Sequence, residues 1–542
     1  MRKALFLLLL ATCGMTAQAS DLTIKIKNRY LNFPISHQSE RQLLTFQCKG
    51  VEDMTVKVRL AQGEPEYWVF KDMNAYRGKT VTLHYDGPQE ALERIQQADT
   101  IVGQKGLYGE KNRPQFHFTS RRGWINDPNG LVYHNGLYHL YYQHNPFERD
   151  WENMTWGHAT SKDLVHWQEH GDVLFPDSLG TMFSGSAVVD SFNTSGFGTK
   201  RNPPIVYAYT VDRHDRQAQC MAYSLDGGMT LQKYAGNPVI NSKAKWDSQD
   251  TRDPRLLWYA PGKHWVLVLN ERDGHSIYTS TDMKQWTYQS HVTGFWECPD
   301  LFELPVDGDP SNTRWVMYGA SNTYMIGRFD GKTFTPEAGK YRFSTGTIYA
   351  AQTISNVPDG RRIQIGWGRV GHPGMPFNGQ MLLPTQLQLR QTVEGIRLVS
   401  TPVAEVQSLL HKLIEVKHPQ DAELVNRTLA MCNPVDILHL RGTLHLNHRT
   451  SAGIALNGQN IVDYDSNHNT LNGQFYCPQD PTSMDLTVDV YIDRTSVEVF
   501  VDGGLFSYSL ERRLSDNQEG IRFWGTKLRV SDLCVDRMDG IW

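Results

Sequence analysis

Three acidic motifs have the residue types and spacing to do chemistry. They are Trp124-Ile125-Asn126-Asp127-Pro128-Asn129-Gly130, Arg252-Asp253-Pro254 and Trp296-Glu297-Cys298-Pro299-Asp300. In each, a carboxylate stands beside turn-forming residues; Asp-Pro and Asn-Gly both mark sharp reversals. A rigid turn at the end of a strand can hold a carboxylate in fixed geometry, which a catalytic carboxylate needs. Taken singly, each motif reads just as well as a surface turn with a capping acid. The chemistry requires a fold that brings the three together.

The elements that must do so lie between residues 113 and 390, where short strands alternate with turns. Leu131 to Gln143 reads as a hairpin, with apolar and aromatic runs on both sides of His134-Asn135-Gly136. A weak repeat follows. Ser161-Lys162-Asp163 leads to Trp167, Ser224-Leu225-Asp226 to a similar run, Ser280-Thr281-Asp282 to Trp286, and Phe329-Asp330-Gly331 to Phe334. A recurring hairpin turn every ~50–60 residues suggests propeller blades, and about five fit the span. The three acidic motifs stand about one to two blades apart, which would bring them to one end of a central channel.

The flanks are also β-patterned. Residues 20–112 form a first module with alternating runs at 22–26, 54–60 and 81–85 and a short helix over 88–97 opened by Pro88. It is read as a stabilising cap, with a sugar-binding or docking module as the alternative. Residues 391–415 read as a linker with a short helix over 401–413, Thr401 as its N-cap. In residues 416–542, alternation at 486–492 and 496–501, closed by Asp502-Gly503-Gly504, predicts a two-sheet sandwich. The expected fold class is all-β: an N-terminal β-rich module, a five-bladed β-propeller and a C-terminal β-sandwich.

Composition narrows the class. A chain of 542 residues is too long for one core. The formal charge is −4 with no basic stripe, which gives no support for a nucleic-acid partner. Residues 1–19 read as a secretory leader: Arg2 and Lys3, an apolar run from Ala4 to Leu10, and Ala17-Gln18-Ala19 before Ser20. Export to the periplasm or the exterior is expected. Leu10-Ala11-Thr12-Cys13 supports a competing reading with a lipid anchor on Cys13. No later stretch is apolar enough to span a bilayer. The six remaining cysteines, Cys48, Cys220, Cys298, Cys432, Cys477 and Cys534, show no C-x-x-C spacing, so no metal site is expected and buried free thiols are the plainer reading. No cofactor is expected.

Taken together, the motifs resemble glycoside hydrolase family 32, the invertase, inulinase and levanase group. The resemblance rests on Trp124 to Gly130, Tyr142-Gln143-His144-Asn145-Pro146, Trp156-Gly157-His158, Phe183-Ser184-Gly185, Arg252-Asp253-Pro254, Glu297-Cys298-Pro299-Asp300 and Gly366-Trp367-Gly368, with Asp493 to Phe500 similar to the family's sandwich signature. It spans about residues 113 to 542, in the family's order. It implies a five-bladed propeller followed by a sandwich, and hydrolysis of β-fructofuranosyl bonds with retention. It assigns Asp127 as nucleophile, Glu297 as general acid/base and Asp253 as transition-state stabiliser. Asn126, Gln143, Trp151, Phe183, Ser184, Arg252 and Trp367 would line the fructosyl pocket, with Trp156 competing for the place of Trp151.

The residue types suit that reaction. It passes through an oxocarbenium-like transition state, so one carboxylate attacks the anomeric carbon while another protonates the leaving oxygen. Glu297 must then hold its proton near neutral pH, which burial or the nearby Asp300 would favour. Asp127 must stay ionised, with help from Asn126. The substrate would be a fructan, levan or inulin, with sucrose as a further substrate, and exo cleavage is expected. Competing readings are a fructosyltransferase or endo-acting fructanase on the same scaffold, an inverting five-bladed glycosidase, and a fructan-binding protein without catalysis. The presence of all three carboxylates argues against the last.

Overall fold

The structure is a computed structural model that describes residues 19–542, except 214, 433–435, 447–448, 477–483 and 513–518. Of the leader expected over residues 1–19, residues 1–18, and with them Cys13, lie outside the described residues. The chain divides into two compact units, Met1–Gln104 and Lys105–Trp542.

The first unit holds two sheets. Ser20–Lys25, Thr80–Tyr85, Gln42–Cys48 and Val51–Val58 form one, in that order; Tyr67–Asp72, Tyr30–Ile35 and Gln96–Ala98 form the other. Apolar residues such as Leu31, Phe33, Leu44, Val58 and Leu83 are buried. The helix expected over 88–97 is only Gln89–Leu92. Its second half is drawn into a strand instead, where Gln96–Ala98 pairs with Tyr30–Asn32.

The second unit begins with a propeller of five antiparallel meanders. Blade 1 is Gly123–His134, Leu137–Asn145, Thr155–Ser161 and Trp167–Leu174; blade 2 is Thr181–Val189, Ile205–Asp212, Gln217–Ser224 and Gln232–Lys233. Blade 3 is Thr251–Tyr259, His264–Glu271, Gly274–Ser280 and Thr287–Thr293; blade 4 is Asp300–Val306, Asp309–Tyr318, Thr323–Phe329 and Phe334–Arg342. Blade 5 is Ile348–Thr353, Arg362–Gly368, Thr385–Thr392 and Gly395–Pro402. The first strand of each blade is innermost. Phe377–Asn378 pairs in parallel with Gly123-Trp124, which fastens the last blade to the first.

The repeat seen in the sequence is a recurring turn between third and fourth strands. Asp163, Asp226, Asp282 and Asp330 each accept backbone N–H groups from the residues that follow. In blades 1 and 3 the indole of Trp167 or Trp286 closes the same turn on a carbonyl three residues back. The hairpin at Asn135-Gly136 has both residues at positive φ, 49° and 85°, as a tight primed turn requires.

The sandwich follows. One sheet runs Ser344–Gly346, Phe506–Glu511, Ser496–Val501, Leu486–Ile492, Leu438–His445, Arg529–Met538, Leu410–Val416; the other runs Gln474–Phe475, Thr470–Leu471, Gln459–Asp465, Ser451–Leu456, Ile521–Gly525. Leu440, Val490, Val499 and Val535 from the first face Ile454, Val462 and Phe523 from the second in one core. The helix expected over 401–413 is a short 3-10 segment, Ala404–Leu409. Thr401 does not cap it, because Thr401 and Pro402 are paired to Gln386 and Thr385 in the last strand of blade 5. Leu410 onward is already a sandwich strand.

His117, ahead of blade 1, joins propeller to sandwich. Its Nδ1 meets Asp493 Oδ2 at 2.8 Å and its Nε2 meets Glu498 Oε1 at 2.7 Å, all three side chains buried. These two carboxylates belong to the Asp493 to Phe500 signature. Among the described residues, Cys48, Cys220, Cys298 and Cys534 are free thiols. No helix among them is long and apolar enough to cross a membrane.

Candidate active site

The three acidic motifs stand at the start of the inner strands of blades 1, 3 and 4, and each carries a proline. A proline offers no N–H to the ladder, so within a strand paired on that side it favours a bulge. The expected tight turn at 124–130 is accordingly a bulged strand. Pairing of Gly123–His134 with its neighbour slips between Ile125 and Pro128 and again between Asn129 and Val132. Thr251–Tyr259 slips between Arg252 and Arg255, across Asp253-Pro254. Asp253, Glu297 and Cys298 all take positive φ, at 66°, 51° and 39°. Such left-handed backbone at non-glycine residues re-aims side chains and persists only where the surroundings hold it. Blade 2 slips between Met182 and Gly185, and blade 5 between Tyr349 and Gln352. Gly185 is needed there because a methyl group would run into the Ala208 carbonyl oxygen.

These bulges bring the groups together. Ser184 Oγ donates to Asp127 Oδ2 at 2.6 Å, and Asn126 Nδ2 donates to Oδ1 at 3.1 Å. Trp124 Nε1 braces Asn126 by donating to its Oδ1 at 2.9 Å. The Cys298 thiol lies 3.6 Å from Asp127 Oδ2 and 3.5 Å from Asp253 Oδ2. One oxygen of each aspartate and this sulfur all fall within 4.8 Å of one another. Asp253 Oδ2 also accepts the Cys298 N–H at 3.0 Å, while its own N–H donates to Thr210 Oγ1. Glu297 is tied to the same group: Arg252 Nε and Nη2 donate to Oε1 at 3.2 and 2.8 Å, Tyr349 O–H donates to Oε2 at 2.5 Å, and the Glu297 N–H donates to Asn270 Oδ1.

Burial dominates the electrostatics. It pushes the Asp127 carboxyl above the usual range, with Glu297 adding to the rise, while the Ser184 and Asn126 donors oppose it. Asp253 is raised to about 7, first by burial and then by Glu297 and Asp127, against the pull of Arg252. Burial keeps the Cys298 thiol protonated, so its S–H can serve the aspartate oxygens. Asp300 is not the neighbour of Glu297 that the sequence suggested. It is fully buried, pairs with Arg255 at 2.9 Å and accepts the Thr353 N–H, so it ties blades 3, 4 and 5 together.

The residues expected to line a pocket differ in exposure and partners. Trp151 is 47% exposed, with its ring 6.0 Å from that of Phe183. Trp156, its competitor, is fully buried among Tyr141, Tyr207 and Tyr209. Gln143 is buried, and its amide nitrogen donates to the Met182 carbonyl, joining blades 1 and 2. Trp367 packs edge-on against Trp124 at 5.7 Å and Tyr349 at 6.4 Å. Arg252 stacks over the ring of Trp296, which is 40% exposed, and pairs with Asp250 at 2.7 Å. Sequence reasoning missed Tyr349, the Cys298 thiol and the Trp124 brace. Only position could have pointed to Tyr349, since it starts the fifth inner strand as the acidic motifs start theirs. Such a site, with several carboxyl groups, the Arg252 guanidinium and aromatic neighbours, can hold a polar ring and move protons at one of its bonds.

Known proteins share this order of domains. Residues 117–402 match the family model for the glycosyl hydrolases family 32 N-terminal domain, and residues 440–536 match that for the C-terminal domain. A levanase of Bacillus subtilis is 38% identical over 448 residues, covering 73% of this chain and 66% of the levanase. An extracellular exo-inulinase of Aspergillus niger is 32% identical over 543 residues, covering 82% of this chain and 98% of that protein. The crystal structure of an exo-inulinase from Aspergillus awamori superposes with a TM-score of 0.69 at 29% identity, covering 80% of this chain and all of that one. By motif order, domain matches and overall similarity, the chain belongs to glycoside hydrolase family 32.

Proposed function

We propose that the protein is an exported, retaining β-fructofuranosidase that removes terminal fructosyl units from levan or inulin and also cleaves sucrose. The observation that carries this reading is the convergence of Asp127, Asp253 and Glu297 from three blades onto one hydrogen-bonded cluster. Its membership of a family with levanase and exo-inulinase members supports the substrate class.

The chemistry runs in two displacements. Glu297 gives its proton to the glycosidic oxygen as the bond to the anomeric carbon breaks, and an Asp127 oxygen bonds to that carbon to form a fructosyl ester. Glu297, now a carboxylate, takes a proton from water as the water oxygen bonds to the carbon and the ester bond breaks. Ser184 and Asn126 hold the Asp127 carboxylate in line. Asp253 needs to transfer no proton; it grips sugar hydroxyls more tightly as the ring flattens. Trp151, Phe183 and Trp367 would cover the sugar and exclude water.

Incubation with levan, inulin and sucrose tests this, with fructose release from at least one expected. No fructose from any of them would overturn the reading, and transfer products outweighing free fructose would assign a fructosyltransferase. The leader pattern in residues 1–19 supports export; labelling with a fatty acid would distinguish an anchor on Cys13 from free release.

A further inference from the structure

Glu297 is held through both oxygens by different kinds of partner. Arg252 directs two N–H groups at Oε1. A guanidinium carries donors only and keeps its protons in proteins, so Oε1 stays an acceptor. A proton that Glu297 carries must therefore sit on Oε2. Among the described residues, the group that meets Oε2 is the Tyr349 hydroxyl, at 2.5 Å.

We propose that Tyr349 is a positioning residue for proton transfer by Glu297: its O–H fixes Oε2 toward the scissile oxygen and stabilises the carboxylate formed when the proton leaves. The proposal rests on the reading of Glu297 as general acid/base. In the first displacement the Oε2 proton passes to the leaving oxygen, and the charge left on Glu297 strengthens the bond from Tyr349. In the second, a water proton returns to Oε2 and the bond relaxes. The phenol is itself neither acid nor base, because burial and the adjacent Glu297 hold its proton on. A donor whose bond strengthens as charge develops acts on the transition state rather than on binding.

The surroundings leave the hydroxyl free for this task. Tyr349 sits at the bulge of its strand, its ring packed edge-on against Trp367 and under the Arg369 guanidinium at 4.9 Å. The charged and titratable groups around Glu297 are Arg252 with its second partner Asp250, Asp127, Asp253, Cys298, Tyr349 and, against the Glu297 backbone, His275, with Arg369 behind the phenol.

The test is Tyr349→Phe in the full chain, which removes one oxygen and keeps the ring between Trp367 and Arg369. The readout is kcat and KM against pH on a fructan oligomer and on a β-fructofuranoside with a good leaving group. The expected result is a kcat loss of about 10- to 100-fold with KM nearly unchanged, and an alkaline limb of kcat/KM moved up by about one pH unit. In a Glu297→Gln background the same change should have little further effect. An unmoved limb, or losses that multiply fully in the double variant, would overturn the assignment and leave Tyr349 a packing residue. Failure of the wild-type chain to release fructose from either substrate would overturn the activity reading and this proposal together; an active wild type with an unmoved limb overturns only the proposal.

Discussion

Asp253 is held in a place that suits chemistry better than stability. Its value of about 7 lies above the ordinary 3.8, so the folded chain binds this proton more tightly than the unfolded chain does. Stability is therefore lost as pH rises from about 3.8 to about 7 and stays lost above that. Asp253→Asn should stabilise the fold at pH 8 by about 1–4 kcal/mol, and the gain should fade toward pH 4. Melting temperatures of both proteins across that range check it, and a gain independent of pH would contradict the cause given. Asp127→Asn should cut turnover by about 10⁴ or more while sparing binding. Glu297→Gln should cost about 10²–10⁴ in rate, and less on substrates with good leaving groups. Initial rates on a leaving-group series measure the difference. The meeting of the three acidic motifs could be read from the chain, because Asp-Pro, Arg-Asp-Pro and Glu-Cys-Pro pair a carboxylate with a backbone device. Tyr349 could not be read there, since a tyrosine in a strand carries no local mark of its partner. The partner of Asp300 was hidden for the same reason: Arg255 is near it only once the blades close.

Among the elements, the bulged inner strands carry the site and the His117 clamp holds the propeller to the sandwich. His117 is raised to about 9 from 6.5, although burial alone would lower it; hydrogen bonds and charge from Asp493 and Glu498 more than offset that. Its stabilising contribution is fully present below pH 6.5 and is lost as pH rises through about 9. Asp493→Asn should destabilise by about 3–5 kcal/mol, as breaking one side of a buried pair does. It should also flatten the decline in stability between pH 6.5 and 9, which chemical denaturation at a series of pH values would show. The short blade turns were legible because an Asp recurs at the same place in each, in blades 1 to 3 as Ser-x-Asp and in blades 1 and 3 with a tryptophan after it. The bulges were not: proline and asparagine in a row signal a reversal, and only pairing with a neighbouring strand decides between a turn and a bulge. The segment after Thr401 was misread because a capping pattern is local, whereas pairing of Thr401 with Gln386 is set by the sheet.

At the scale of the molecule, every group assigned to the site lies within the unit Lys105–Trp542, as do both family matches. A chain reduced to that unit should fold and keep kcat/KM on sucrose within about threefold of the full chain. Loss of all activity with the fold intact would show that Met1–Gln104 contributes to the reaction. An exo-acting enzyme should release fructose alone from levan or inulin at early times. A ladder of oligomers appearing first would instead show endo cleavage.

The central claim is that Asp127 carries the fructosyl unit between the two displacements. Glu297→Gln, mixed with a β-fructofuranoside bearing a good leaving group and quenched early, should accumulate the ester, because the base needed to release it is missing. Peptide mass spectrometry should then find one fructosyl unit on the peptide containing Asp127, and none when Asp127→Asn is added. Modification of another residue, or turnover that yields fructose of inverted anomeric form with no ester, would contradict the account.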